Sequence, residues 1–127
     1  MLAATHFFEV HSSVYSICHI SHRLVAIGLA NGYVALYDDE LDAQVGDVFK
    51  LEGAAYALEF DFNSNVLFVG SSKGELVAVN LSNSEIIYRE NLRISIQQIR
   101  IQRDQLLVGL ANGVLLVFSQ ERINHCV

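Results

Sequence analysis

The sequence predicts an all-β fold of stacked four-stranded antiparallel units, and three observations carry that prediction. The first is an internal repeat. Ile27-Gly28-Leu29-Ala30-Asn31-Gly32-Tyr33-Val34 returns as Val108-Gly109-Leu110-Ala111-Asn112-Gly113-Val114-Leu115, with a looser copy, Val69-Gly70-Ser71-Ser72-Lys73-Gly74-Glu75-Leu76, between them. The leading glycines lie 42 residues apart (28 to 70) and then 39 (70 to 109). A period near 40 built from short apolar runs marks repeated β-units. The second observation is turn chemistry. Asn31-Gly32 and Asn112-Gly113 stand between apolar runs, which predicts hairpins of type I′, whose two central residues both need positive φ. The third is composition. With 52% hydrophobic and 17% charged residues over 127 positions, the chain reads as one globular segment (residues 1–127) with one core, far from the balance of a disordered chain.

The elements follow in chain order. Thr5 to Val10 (Thr-His-Phe-Phe-Glu-Val) reads as a strand with no three partners upstream, hence a spare outer strand. The first unit, about residues 11–50, opens with Val14, Ile17 and Ile20 and continues through Leu24–Leu29, the Asn31-Gly32 turn, Tyr33–Tyr37 and Gln44–Phe49. The second, about 51–91, is the clearest. Ala55–Phe62 alternates so that Tyr56, Leu58, Phe60 and Phe62 share one face, a period-2 strand with one apolar side. Asn63-Ser64-Asn65 is a turn, and Val66–Gly70 is apolar throughout, as expected of a strand covered on both faces. Ser71 to Gly74 is a tight turn in which Gly74 supplies positive φ. Glu75–Leu81 is a third strand, and Glu85–Arg89, mixed apolar and charged, suits an outer strand wet on one side. The third unit, about 92–118, runs Ile94–Ile101, Gln105–Leu110, the Asn112-Gly113 turn and Val114–Phe118. Its fourth strand comes from the tail, residues 119–127, or from residues 5–10, which makes twelve strands in all.

These units resemble the blades of the WD-repeat family of β-propellers. The matching pieces are His11 ahead of Val14, the strand-closing glycines Gly28, Gly70 and Gly109, and the hairpin glycines Gly32, Gly74 and Gly113. Tyr37-Asp38 stands at the family's Trp-Asp position, with Val79-Asn80 and Phe118-Ser119 there in the other units. The chain departs from the family in having no Trp-Asp dipeptide, and in carrying Asn31, Lys73 and Asn112 where the family favours Asp in the hairpin. The resemblance covers about His11 to Phe118. It implies three four-stranded antiparallel propeller blades and a role in binding proteins.

Three blades do not close a ring, because propellers have roughly four to eight, and an open stack leaves two apolar faces uncovered. The expectation is therefore half of a roughly six-bladed propeller, completed by another chain: a second copy in a homodimer, or a partner protein. Proline is absent, so one of the usual blockers of strand edges is missing. The candidate interface edge is Thr5, Phe7, Phe8 and Val10 at one end and Val114, Leu116 and Phe118 at the other. The alternatives are a fragment of a larger multidomain trafficking or complex-assembly protein, and an enzyme with its site at the mouth of a completed propeller.

Charge and motif narrow the chemistry. A net charge of −6 with eight Lys and Arg gives no patch for nucleic acid. No apolar stretch reaches the roughly 18 residues of a membrane-spanning helix, and the N-terminus lacks the basic and hydrophobic regions of a signal peptide. Two cysteines, Cys18 and Cys126, make no disulfide framework; the cytoplasm is the default compartment, with the nucleus as the alternative. Cys18-His19 with His22 is the cluster nearest to a metal site, but a strand sends neighbouring residues to opposite faces and zinc needs four donors. His11 has no nucleophile or orienting carboxylate placed with it. Asp38-Asp39-Glu40 with Asp42 does not follow the spacing of a calcium loop. The glycine-containing turns precede no helix and lack a phosphate-binding Lys-Ser pair. Arg89, Arg93, Arg100 and Arg103 make a loose basic stretch suited to a solvated face. The sequence thus predicts no catalytic residues, no metal, no cofactor and no small-molecule substrate.

Overall fold

The computed structural model describes residues 2–4, 7 and 9–119. Among these residues every regular element is a strand. The first sheet holds β1 (Val14–His19), β2 (Leu24–Leu29), β3 (Tyr33–Asp38) and β4 (Ala43–Lys50) in sequential order. The second holds β5 (Ala55–Asp61), β6 (Val66–Ser71), β7 (Glu75–Asn80) and β8 (Glu85–Asn91), and the third β9 (Ile96–Gln102), β10 (Gln105–Leu110) and β11 (Leu115–Ser119). All neighbouring strands are antiparallel.

The sheets stack face to face, with β5 packed against β1 on one side and against β9 on the other. Cys18, Ala26 and Val34 of the first sheet meet Leu58, Leu67, Val69 and Val77 of the second. Phe68, Leu76 and Ala78 on its opposite face meet Ile96, Ile99, Leu106 and Val108 of the third. The middle sheet is therefore covered twice, and β6 is buried along its whole length. Each of its large apolar side chains contributes about 1.5–3 kcal/mol by leaving water. β8, at the far edge, is mostly wet.

Register is the same in the three units. Gly28 pairs with Val34, Gly70 with Leu76 and Gly109 with Leu115. Each first strand is irregular just after its first residue, between Val14 and Ser16, between Ala55 and Ala57, and where Ile96 meets Leu110. Hydrogen bonds repeat as well. The amides of Ala30, Ser72 and Ala111 donate to the carbonyls of Ser13, Ala54 and Ser95, each at 2.9 Å. The amides of Leu51 and Leu92 donate to Gly32 and Gly74 O at 2.8 Å.

Two sequence expectations need correction. The hairpin turns are not type I′. Gly32, Gly74 and Gly113 have φ of 92°, 91° and 85°, but Asn31 and Asn112 stay at negative φ, and each glycine amide donates three residues back. The loop is a three-residue turn ending in a left-handed glycine. Asparagine serves there as an acceptor: Oδ1 of Asn31 and of Asn112 takes the amides of Tyr33 and Val114. In the middle unit Lys73 has no such oxygen, and the Ser71 hydroxyl accepts the Lys73 and Glu75 amides instead.

Eleven strands lie among the described residues. Phe7, Glu9 and Val10 are outside any strand, and Phe7 is 82% exposed; Thr5, His6 and Phe8 lie outside the described residues, as does the tail beyond Ser119. Second, β5 has two covered faces, because Ala57 opposite Leu58 and Phe60 enters the second core cluster. Tyr56 leaves the alternation at the strand irregularity, and Phe62 follows the strand end, exposed. Arg89 on β8, Arg93 and Arg103 at positive-φ turn positions and Arg100 on β9 are all exposed, as a solvated face requires.

Candidate functional site

The middle sheet, covered on both faces, is a ruler for the outer two. Its Leu58, Leu67 and Val69 correspond by register to Ile17, Val25 and Ile27 in the first sheet. The former three are buried, whereas Ile17 is 71% exposed and Val25 and Ile27 are half-buried. With Val10, Val14 and Tyr37 they line a groove of about 220 Å³. On the opposite end, Phe68, Leu76 and Ala78 correspond to Leu107, Leu115 and Val117. Leu115 and Val117 are 62% and 54% exposed.

The sequence-predicted edge residues divide accordingly. Val10 and Val14 border the first open face. Val114 is exposed beside the second, but Leu116 and Phe118 turn inward onto the second core cluster. Strand alternation decides this: once Leu106 and Val108 face inward, their partners Phe118 and Leu116 follow, and Leu115 and Val117 face out.

A third surface lies where β1, β5 and β9 converge. Tyr15, Tyr56 and Gln97 each follow the first residue of their strand, and the irregularity there aims all three at one groove. Tyr15 and Tyr56 stack edge to face at 5.2 Å. A polar cavity of about 240 Å³ continues from them past Ser16, Gln98 and Arg100. Sequence reading missed this trio. Aligning the three units would have placed them at one position, but nothing within a single unit marks them.

Polar groups close the gaps between sheets. Ser16 Oγ donates to Ala55 O at 2.9 Å, and Glu59 Oε2 accepts the Ile101 amide at 3.0 Å. At the Trp-Asp-like position, Asp38 is buried and accepts from Arg23 Nε at 2.8 Å and from the Glu40 and Leu41 amides. Burial raises the Asp38 carboxyl, but the Leu41 amide, Arg23 and the Glu40 amide outweigh it and hold it below its ordinary range. Glu75 pairs with Arg89 at 2.7 Å.

Cys18 is buried between the first two sheets, while His19 on the same strand is exposed. Burial, reinforced by the Glu59 carboxylate, pushes the Cys18 thiol up to about 11. Among the described residues no three His, Cys, Asp or Glu side chains gather as metal ligands. No helix among them is long and apolar enough to cross a membrane. The hydroxyls of Ser71 and Ser72 are taken up by local amides.

Sequential antiparallel sheets stacked face to face, with their first strands converging, are the blades of a β-propeller. Among solved structures, the crystal structure of Saccharomyces cerevisiae Sqt1 shares this fold with a TM-score of 0.79. The likeness covers 87% of this chain and 33% of that one at 15% sequence identity. The chain thus spans about a third of the length of that structure. No protein-family model and no curated protein sequence matches.

Proposed function

We propose that the chain is a non-catalytic protein-interaction scaffold, a WD-like half-propeller that assembles with another chain across its two open blade faces. One observation carries this reading: Ile17, Leu115 and Val117 are exposed at positions whose counterparts in the middle blade, Leu58, Leu76 and Ala78, are buried. Apolar surface of that kind, continuous across a sheet, is stabilised by a partner and destabilised by water. The axial groove of Tyr15, Tyr56 and Gln97 adds an aromatic platform for a bound segment. The cytoplasm is the proposed compartment.

The test compares the tagged chain with its Leu115→Asp/Val117→Asp variant, both purified from their own cells. We expect a stoichiometric polypeptide, its own untagged copy included, that accompanies the parent chain and is lost from the variant. Identical company for both, or none for either, overturns the scaffold reading.

A further inference from the structure

We infer that the outward face of the third blade is a docking site for residues Val10–Val14 of a second copy of this chain, with Val14 seated on Gly109. The inference rests on the half-propeller reading and names its partner.

Two glycines show what Gly109 is for. A Cβ on Gly28 would lie 2.9 Å from Ala55 Cβ, and one on Gly70 would lie 2.9 Å from Ile96 Cβ. Ala55 and Ile96 are the first strand residues of the following blade, so these glycines exist to let that blade approach. Gly109 holds the same register position in the third blade. A Cβ there would meet nothing nearer than Gln98 O at 3.9 Å, and its φ is not left-handed. No described residue of the chain requires glycine at this place, and glycine inside a strand weakens it. The position leaves room for the close approach of another strand.

A hydrogen bond marks the same junction in the first two blades. The Gly32 and Gly74 carbonyls each accept an amide from the segment leading into the next blade, those of Leu51 and Leu92.

The matching piece lies at the other end of the chain. Leu51 and Leu92 stand four residues ahead of Ala55 and Ile96, as Val10 stands ahead of Val14. Val14 opens its strand with the same irregularity as Ala55 and Ile96. It is 44% exposed, beside the apolar groove of Ile17, Val25 and Ile27. Seated on Gly109, this face would cover Leu115 and Val117 as the third blade covers Leu76 and Ala78. Val14 cannot reach Gly109 of its own chain, because the middle sheet lies between the sheets of β1 and β10. Two copies fill both places at once in a twofold ring of six.

The 127-residue chain is examined by sedimentation at micromolar concentration together with Gly109→Val and Val14→Asp variants. We expect a parent dimer, and Gly109→Val dissociating about a hundredfold or more readily with an unchanged β-sheet circular-dichroism spectrum, since its side chain has open space in the single chain. Val14→Asp should do the same from the other face, and it carries the test if Gly109→Val fails to fold. A parent dimer that survives these substitutions overturns the Val14–Gly109 contact. A parent that stays monomeric overturns the second copy as partner. Both results leave the scaffold reading to be judged by the Leu115→Asp/Val117→Asp comparison.

Discussion

Ile96 fills the space that a side chain on Gly70 would need. Its Cβ lies 2.9 Å from the position of a Gly70 Cβ, and its Cγ2 is nearer still. The contact couples the second blade to the third, and Phe68 and Ile99 pack around it. Gly70→Val must therefore push the blades apart or force Ile96 from its rotamer. We expect a loss of about 1–3 kcal/mol in unfolding free energy, read by urea denaturation, where Gly109→Val in the monomer costs far less.

The Ser71 hydroxyl is the acceptor that the middle hairpin uses in place of an asparagine. It takes the Lys73 and Glu75 amides at 3.2 and 3.0 Å, and Ser71 is fully buried. Ser71→Ala leaves the buried Glu75 amide and the part-buried Lys73 amide short of a partner, and should cost roughly 1–3 kcal/mol. Asn31→Ala removes one bond from an exposed turn and should cost less, about 0.5–1.5 kcal/mol. Thermal unfolding of the two variants side by side checks the order.

The Arg23–Asp38 clamp has a pH signature. The folded Asp38 carboxyl titrates below its unfolded range, so its contribution is fully present above the unfolded value and disappears as pH falls through the folded one. Asp38→Asn should flatten that part of the acid limb of stability against pH. The gap between parent and variant should be widest near neutrality and shrink in acid. A gap that persists unchanged to the acid end would show that the carboxylate charge is not what the clamp uses.

Cys18 should be inert in the folded chain. Burial pushes its thiol up to about 11, and the thiolate is the reactive form. Peptide-resolved alkylation at pH 8 should leave Cys18 unmodified in native protein and modify it in denaturant. Native labelling at a rate near that of the unfolded chain would mean that the first two blades separate readily.

Much of the fold was legible in the sequence, because β-structure writes its period into the chain. The second strands of the first and third units, Leu24–Leu29 and Gln105–Leu110, fall where the apolar runs end in glycine. Less was legible where two causes favour the same residue. Asn-Gly suits a type I′ turn by backbone freedom and the observed turn by side-chain hydrogen bonding, and only the dihedral angles separate them. Alternation was misread at Tyr56, since a strand irregularity leaves no mark in composition.

The sequence by itself determined three repeated antiparallel units, since these follow from periodicity along one dimension. Only the tertiary structure decided which side of each strand meets a neighbour. It turned Leu116 and Phe118 inward, left Leu115 and Val117 in solvent, and brought Tyr15, Tyr56 and Gln97 into one groove. The physical reason is that a strand offers two faces of equal local standing, and the choice between them is made by the sheet that packs against it.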